Sequence, residues 1–190
     1  CRSPQGGSGQ RDGIKLSAVH GEYLFMKKNI VVASIVAAVA LVVGGVLLTQ
    51  SKAAPVSTFV LLDGSQKPSS ALQGKVTLVN FWATSCVTCV AEMPKLVSTF
   101  EKYKSQGYGT VAVAMAYDPP SYVVNFAQTR KLPFDVAIDN TGAVAKSWGE
   151  VTLTPTSYLV DKRGEIVKRY VGQPDFAELH RLIEKLLQET

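Results

Sequence analysis

Downstream of residue 55 the chain alternates short apolar runs with stretches in which apolar residues recur every three or four positions. Phe59 to Leu62 reads as a strand closed by the turn pair Asp63-Gly64. Val76 to Trp82 is nearly unbroken in its apolar character, the pattern of a strand covered on both faces. From Cys86 onward Val90, Met93, Val97 and Phe100 recur at helical spacing, with Pro94 inside that helix as the expected source of a kink. Gly109 to Ala116 is the next strand. Asp118-Pro119-Pro120 then opens a helix to about Arg130, because proline suits a first helical turn. Pro133 to Ile138 predicts a short strand and Asn140 to Trp148 a short helix. Ser157 to Asp161, the turn Lys162-Arg163-Gly164 and Glu165 to Val171 predict a hairpin. A last helix starts at Asp175, with Glu178 completing a capping box and Phe176, Leu179, Leu182, Ile183 and Leu186 on its inner face. Strands alternating with helices, then a hairpin and a helix, predict one α/β domain over residues 55–190, a mixed sheet covered on both faces.

The upstream pattern is different in kind. Ile30 to Leu48 is an uncharged apolar run behind Lys27 and Lys28. As a helix it spans roughly 28 Å, close to the hydrocarbon thickness of a bilayer, and its apolar residues cover every face. Its length favours an uncleaved anchor over a cleaved signal peptide, and Ala53-Ala54-Pro55 is a poor cleavage site. Residues 26–52 therefore read as a single-pass anchor and linker, with the lysines holding the N-terminal side in the cytoplasm and the domain outside it. Residues 1–25 are rich in Gly, Ser and Gln and precede Met26-Lys27-Lys28. They read as an upstream extension from a misplaced start, or as a disordered cytosolic tail.

Charge follows this division. Of the formal +5, residues 1–52 carry +4, which leaves +1 for residues 53–190. The basic balance is thus a topology signal and gives no support for a nucleic-acid partner.

The chemistry is concentrated in LVNFWATSCVTCVAEMP, residues 78–94, which holds two of the chain's three cysteines. Cys86 and Cys89 lie three apart where a strand hands over to a helix. The unpaired N–H groups and partial positive charge of a helix N-terminus stabilise a thiolate, so the outer Cys86 is expected to be nucleophilic near neutral pH. Cys89, one turn in, is close enough to form a disulfide with it and eject a bound partner. A zinc site wants four ligands, and the only histidines are His20 and His180, far from the pair in sequence. A copper site would want a histidine in the neighbouring loops, where none stands. A disulfide with a purely structural role would close a loop of only two intervening residues and remove little chain entropy. The redox reading wins, with no cofactor or metal beyond the Cys86–Cys89 pair itself.

FWATSCVTCVAEMP, followed by Thr154-Pro155-Thr156-Ser157-Tyr158-Leu159-Val160-Asp161, resembles the thioredoxin superfamily, and within it the membrane-anchored thiol-disulfide oxidoreductases of the TlpA/ResA type. The resemblance implies a thioredoxin-like fold for residues 55–190 and a cis peptide bond at Pro155 facing Cys86. It also implies a substrate surface drawn from Thr154, Pro155 and Trp82, with Thr154 offering backbone groups to a client strand. Three positions depart from the thioredoxin pattern. Ser85 stands where a tryptophan is common, and Thr88 stands where proline is common and is placed to donate to a Cys86 thiolate. Asn80 replaces the buried aspartate that relays protons in cytosolic thioredoxins. An amide does not exchange protons at neutral pH, so the resemblance turns to Glu92, one turn beyond Cys89, as the proton acceptor; the competing expectation is a solvated surface glutamate.

The expected function is reduction of disulfides in client proteins with cysteine pairs outside the cytoplasmic membrane, such as apocytochrome c or respiratory copper-site proteins, with recharging by a membrane electron donor. A disulfide-forming oxidase and a non-catalytic peptide-docking module use the same residues and stay open at this point.

Overall fold

A computed structural model describes residues 52–189. The expected anchor at residues 30–48 and the extension at residues 1–25 lie outside the described residues; among those described, no helix is long and apolar enough to cross a membrane.

The elements in chain order are β1 (Lys52–Ala53), β2 (Thr58–Val60), β3 (Gln66–Pro68), β4 (Val76–Trp82), α1 (Val87–Tyr103), β5 (Tyr108–Ala114), α2 (Pro120–Arg130), β6 (Asp135–Ile138), α3 (Ala143–Ser147), β7 (Thr156–Val160), β8 (Glu165–Val171) and α4 (Phe176–Gln188). Six strands form one mixed sheet in the order β1-β8-β7-β4-β5-β6, and β2 pairs β3 in a separate hairpin. β4 runs parallel to β5 and antiparallel to β7, which places it in the interior of the sheet.

All seven residues of β4 are buried, because successive side chains enter two different cores. Val76, Leu78 and Trp82 join Cys89, Met93, Leu96, Val123, Leu179 and Ile183 on one face. Val79 and Phe81 join Phe59, Val144, Trp148 and Tyr158 on the other. The continuous apolar run in the sequence has this two-sided burial as its cause.

Several expectations shift. The strand expected at residues 59–62 ends at Val60, and Leu61 instead bridges Ala137 next to β6. β3 went unpredicted because Gln66-Lys67-Pro68 has no apolar alternation; it is held by backbone pairing with β2 and by Lys67 Nζ, 2.6 Å from Asp135 Oδ2. β1 straddles the expected end of the linker at residue 52 and pairs antiparallel to β8. Helix α1 continues through Pro94. Its buried side is Cys89, Glu92, Met93, Leu96, Thr99 and Tyr103, whereas Val90, Val97 and Phe100 are only partly covered, so the core-facing stripe is rotated from the expected one. At α4 Asp175 caps the helix by accepting from the N–H groups of Ala177 and Glu178. The expected return contact from Glu178 gives way to Lys168, 3.1 Å away. Gly164, at φ +82°, closes the β7–β8 turn in the left-handed region that a Cβ disfavours.

Candidate active site

The end of β4 hands the chain to α1 through Ala83-Thr84-Ser85-Cys86, and this short loop is pinned from the side. Thr84 donates through its backbone N–H (2.6 Å) and its hydroxyl (2.5 Å) to the two carboxylate oxygens of Asp118, a buried residue in the loop before α2. Sequence reading assigned Asp118 only to a helix start. Its partner is 34 positions away and has no local signature.

Cys86 is the N-cap of α1, with extended backbone, and its sulfur accepts from Cys89 N–H at 3.2 Å. The two cysteines form a disulfide. Cys86 is partly exposed and Cys89 has no exposed surface, so approach from solvent meets Cys86 first. The Thr154–Pro155 peptide bond is cis, and the Thr154 carbonyl oxygen lies 3.5 Å from Cys86 Sγ. Thr154 Oγ1 in turn meets the Tyr117 hydroxyl at 3.2 Å. Val87, Tyr117 and Leu153 are large apolar residues exposed beside these atoms. Thr88, expected to donate toward Cys86, is exposed, and the N–H that reaches the sulfur is that of Cys89.

Trp82 corrects one expectation. Its ring has no exposed surface and packs against Phe126 with centroids 5.1 Å apart, so it supports the core beneath the loop and has no face to offer a substrate.

Glu92 is not the surface glutamate of the competing expectation. It is fully buried, one turn along the same helix face as Cys89. Asn80 Nδ2 donates to Glu92 Oε1 at 3.0 Å, and the same nitrogen donates to Ser157 Oγ at 2.9 Å. Burial raises the Glu92 carboxyl to about 7, with the Asn80 hydrogen bond and the Lys95 charge pulling the other way. A carboxyl of that affinity, beneath a buried cysteine, can accept a proton near neutral pH.

A family model described as Redoxin matches residues 49–183. The chain belongs to the Redoxin family. The chain is 33% identical over 135 residues to the thiol-disulfide oxidoreductase ResA of Bacillus thuringiensis subsp. konkukian, covering 71% of this chain and 77% of the relative. Among solved structures, a candidate thioredoxin from Neisseria meningitidis superposes with TM-score 0.68 at 41% identity, over 74% of this chain and 93% of that one. A thioredoxin-family thiol:disulfide interchange protein from Chlorobium tepidum gives TM-score 0.66 at 27% identity, over 73% and 98%. This Redoxin protein is of the TlpA/ResA type within the thioredoxin superfamily, and it is a thiol-disulfide oxidoreductase whose redox-active group is the Cys86–Cys89 pair.

Proposed function

We propose that this oxidoreductase works as a reductant of specific client proteins outside the cytoplasmic membrane, held there by residues 30–48. The observation that supports the order of events is the contrast in exposure between Cys86 and Cys89, with Glu92 buried below. In the reduced protein the Cys86 thiolate attacks a client disulfide, forming an intermolecular disulfide and releasing one client thiolate. Thr154 and Pro155, with their backbone beside Cys86, hold the client segment. Cys89 then loses its proton to the Glu92 carboxylate and attacks Cys86 Sγ, which releases the second client thiol and leaves the Cys86–Cys89 disulfide. Two electrons have passed to the client. A membrane donor of dithiol type returns them by the same exchange in reverse. Exported cysteine-pair polypeptides that receive haem or copper are the client class the family resemblance supports.

The test is trapping. Cys89→Ser leaves the intermolecular disulfide without its internal exit, so covalent complexes through Cys86 accumulate, whereas Cys86→Ser accumulates none. Equal trapping by both variants would overturn the order of attack. Trapped partners without paired cysteines would overturn the client class.

A further inference from the structure

The loop Ala83-Thr84-Ser85-Cys86 is held in two different ways. One is covalent: in the disulfide form Cys86 is tied to Cys89, in the first turn of α1. The other is the Asp118 carboxylate, which takes both polar hydrogens of Thr84, the backbone N–H on Oδ2 and the hydroxyl on Oδ1. Local bonds add to these, from Cys86 N–H to the Ala83 carbonyl at 3.2 Å and from Val90 N–H to the Cys86 carbonyl at 3.0 Å.

Asp118 is a fixed post for this loop. Its N–H donates to the Met115 carbonyl at 2.9 Å, and Met115 N–H donates to the carbonyl of Trp82, the last residue of β4, at 3.0 Å. Pro119 and Pro120 follow it, and a proline restricts the residue before it as well as fixing its own φ. Asp118 is also buried, and a carboxylate taken out of water is costly unless it is hydrogen-bonded. Both bonds that satisfy it come from the cysteine loop.

The two ties differ in when they act. The covalent one exists only while the disulfide is closed. Once the pair is reduced, the bonds from Thr84 to Asp118 remain to keep Cys86 within reach of Cys89. The freedom released by removing them therefore belongs to the dithiol form, and each closure of the disulfide would have to take it back.

We propose that Asp118 is a positioning residue for thiol-disulfide exchange: acting through Thr84, it holds the loop before Cys86 in place while the disulfide is open, and so favours closure of the pair. The role is independent of the client proposed above and of the direction in which electrons pass.

The experiment equilibrates the full chain with dithiothreitol redox buffers and reads the dithiol fraction from the two-thiol step in mass after alkylation. Thr84→Val keeps the shape of the side chain and removes its hydroxyl bond. Its dithiol form should be favoured by roughly fivefold, a rise of about 20 mV in the potential, since one bond to a charged acceptor is lost while the backbone bond stays. Thr84→Ser keeps the hydroxyl and should restore the unaltered value. In an Asp118→Ala background Thr84→Val should add no further rise, because the acceptor is already gone; the two Thr84 variants decide the matter alone where that background does not fold. The sign separates positioning from charge, because a carboxylate stripped of one donor disfavours a nearby thiolate and would lower the potential. A purely structural role would weaken both redox forms alike and leave the potential where it is. An unmoved or lowered potential in Thr84→Val, the same rise in Thr84→Ser, or an undiminished rise in the Asp118→Ala background overturns the proposal.

Discussion

Replacing Glu92 by Gln removes a titrating group from the interior at nearly constant volume, and the structure fixes the sign of its effect on stability. The ordinary glutamate value of 4.5 becomes about 7 in the folded protein because of burial. Between those limits the native state holds a proton that the unfolded chain has released, so stability is greatest at the acid end, falls as pH rises, and levels off above about 7. The whole gap is worth about 3 kcal/mol. From pH 5 to pH 8 the unaltered protein is therefore expected to lose about 2–3 kcal/mol that Glu92→Gln does not lose. His180 slopes the other way, since burial and then the Lys102 charge push its imidazole down, but it is common to both proteins and cancels in the difference. The assay is urea unfolding of the disulfide form across this pH range, followed by fluorescence of the two tryptophans, with equal m-values confirming that the same surface is exposed. Parallel stability profiles would refute the reasoning, because they would mean that Glu92 is solvated or retains an ordinary affinity.

Two further outcomes follow from burial. Trp82→Ala should cost about 3–5 kcal/mol through the cavity it leaves, while the folded fraction still traps clients normally; impaired trapping at undiminished stability would restore Trp82 to the substrate surface. A chain beginning at Pro55 should fold as a soluble domain. It should be about 1 kcal/mol less stable than one beginning at Lys52, because it loses the β1 pairing and the 2.8 Å bond from Ala54 N–H to the Gly164 carbonyl. Chemical denaturation of the two chains measures the difference, and aggregation in both redox states would show that the boundary lies elsewhere.

What could be read from the sequence was what local pattern determines. β4, α1, the β7–β8 hairpin and α4 follow from apolar runs and spacing, and the cysteine pair follows from its place between strand and helix. What escaped was set by contacts between distant segments. Glu92 was named as the proton acceptor through the resemblance, but the helical spacing alone did not place it in the interior. The buried stripe of α1 runs Cys89, Met93, Leu96 and Tyr103, and Glu92 interrupts it. A stripe centred on Val90 and Val97 turned Glu92 outward; one centred on Cys89 and Leu96 would have shown a carboxyl facing the core. Asp118 had no such signal, since it matters through one partner brought close only by the loop packing. Trp82 was misassigned because the apolar run gives no sign of where burial ends along the strand.

The β2–β3 hairpin has a bearing on how the protein keeps to itself in a crowded compartment. β6 is the last strand of the sheet on that side, and such an edge is a template for another chain to add to. Leu61 bridges Ala137 there, Leu62 N–H reaches the Val136 carbonyl at 3.2 Å, and Lys67 pairs with Asp135 over the same stretch. On the opposite side β1 pairs only Glu165 and Ile166, so among the described residues β8 has no strand beside it from Val167 to Val171. The β2–β3 hairpin thus blunts the β6 flank of the sheet against the addition of a strand from another chain.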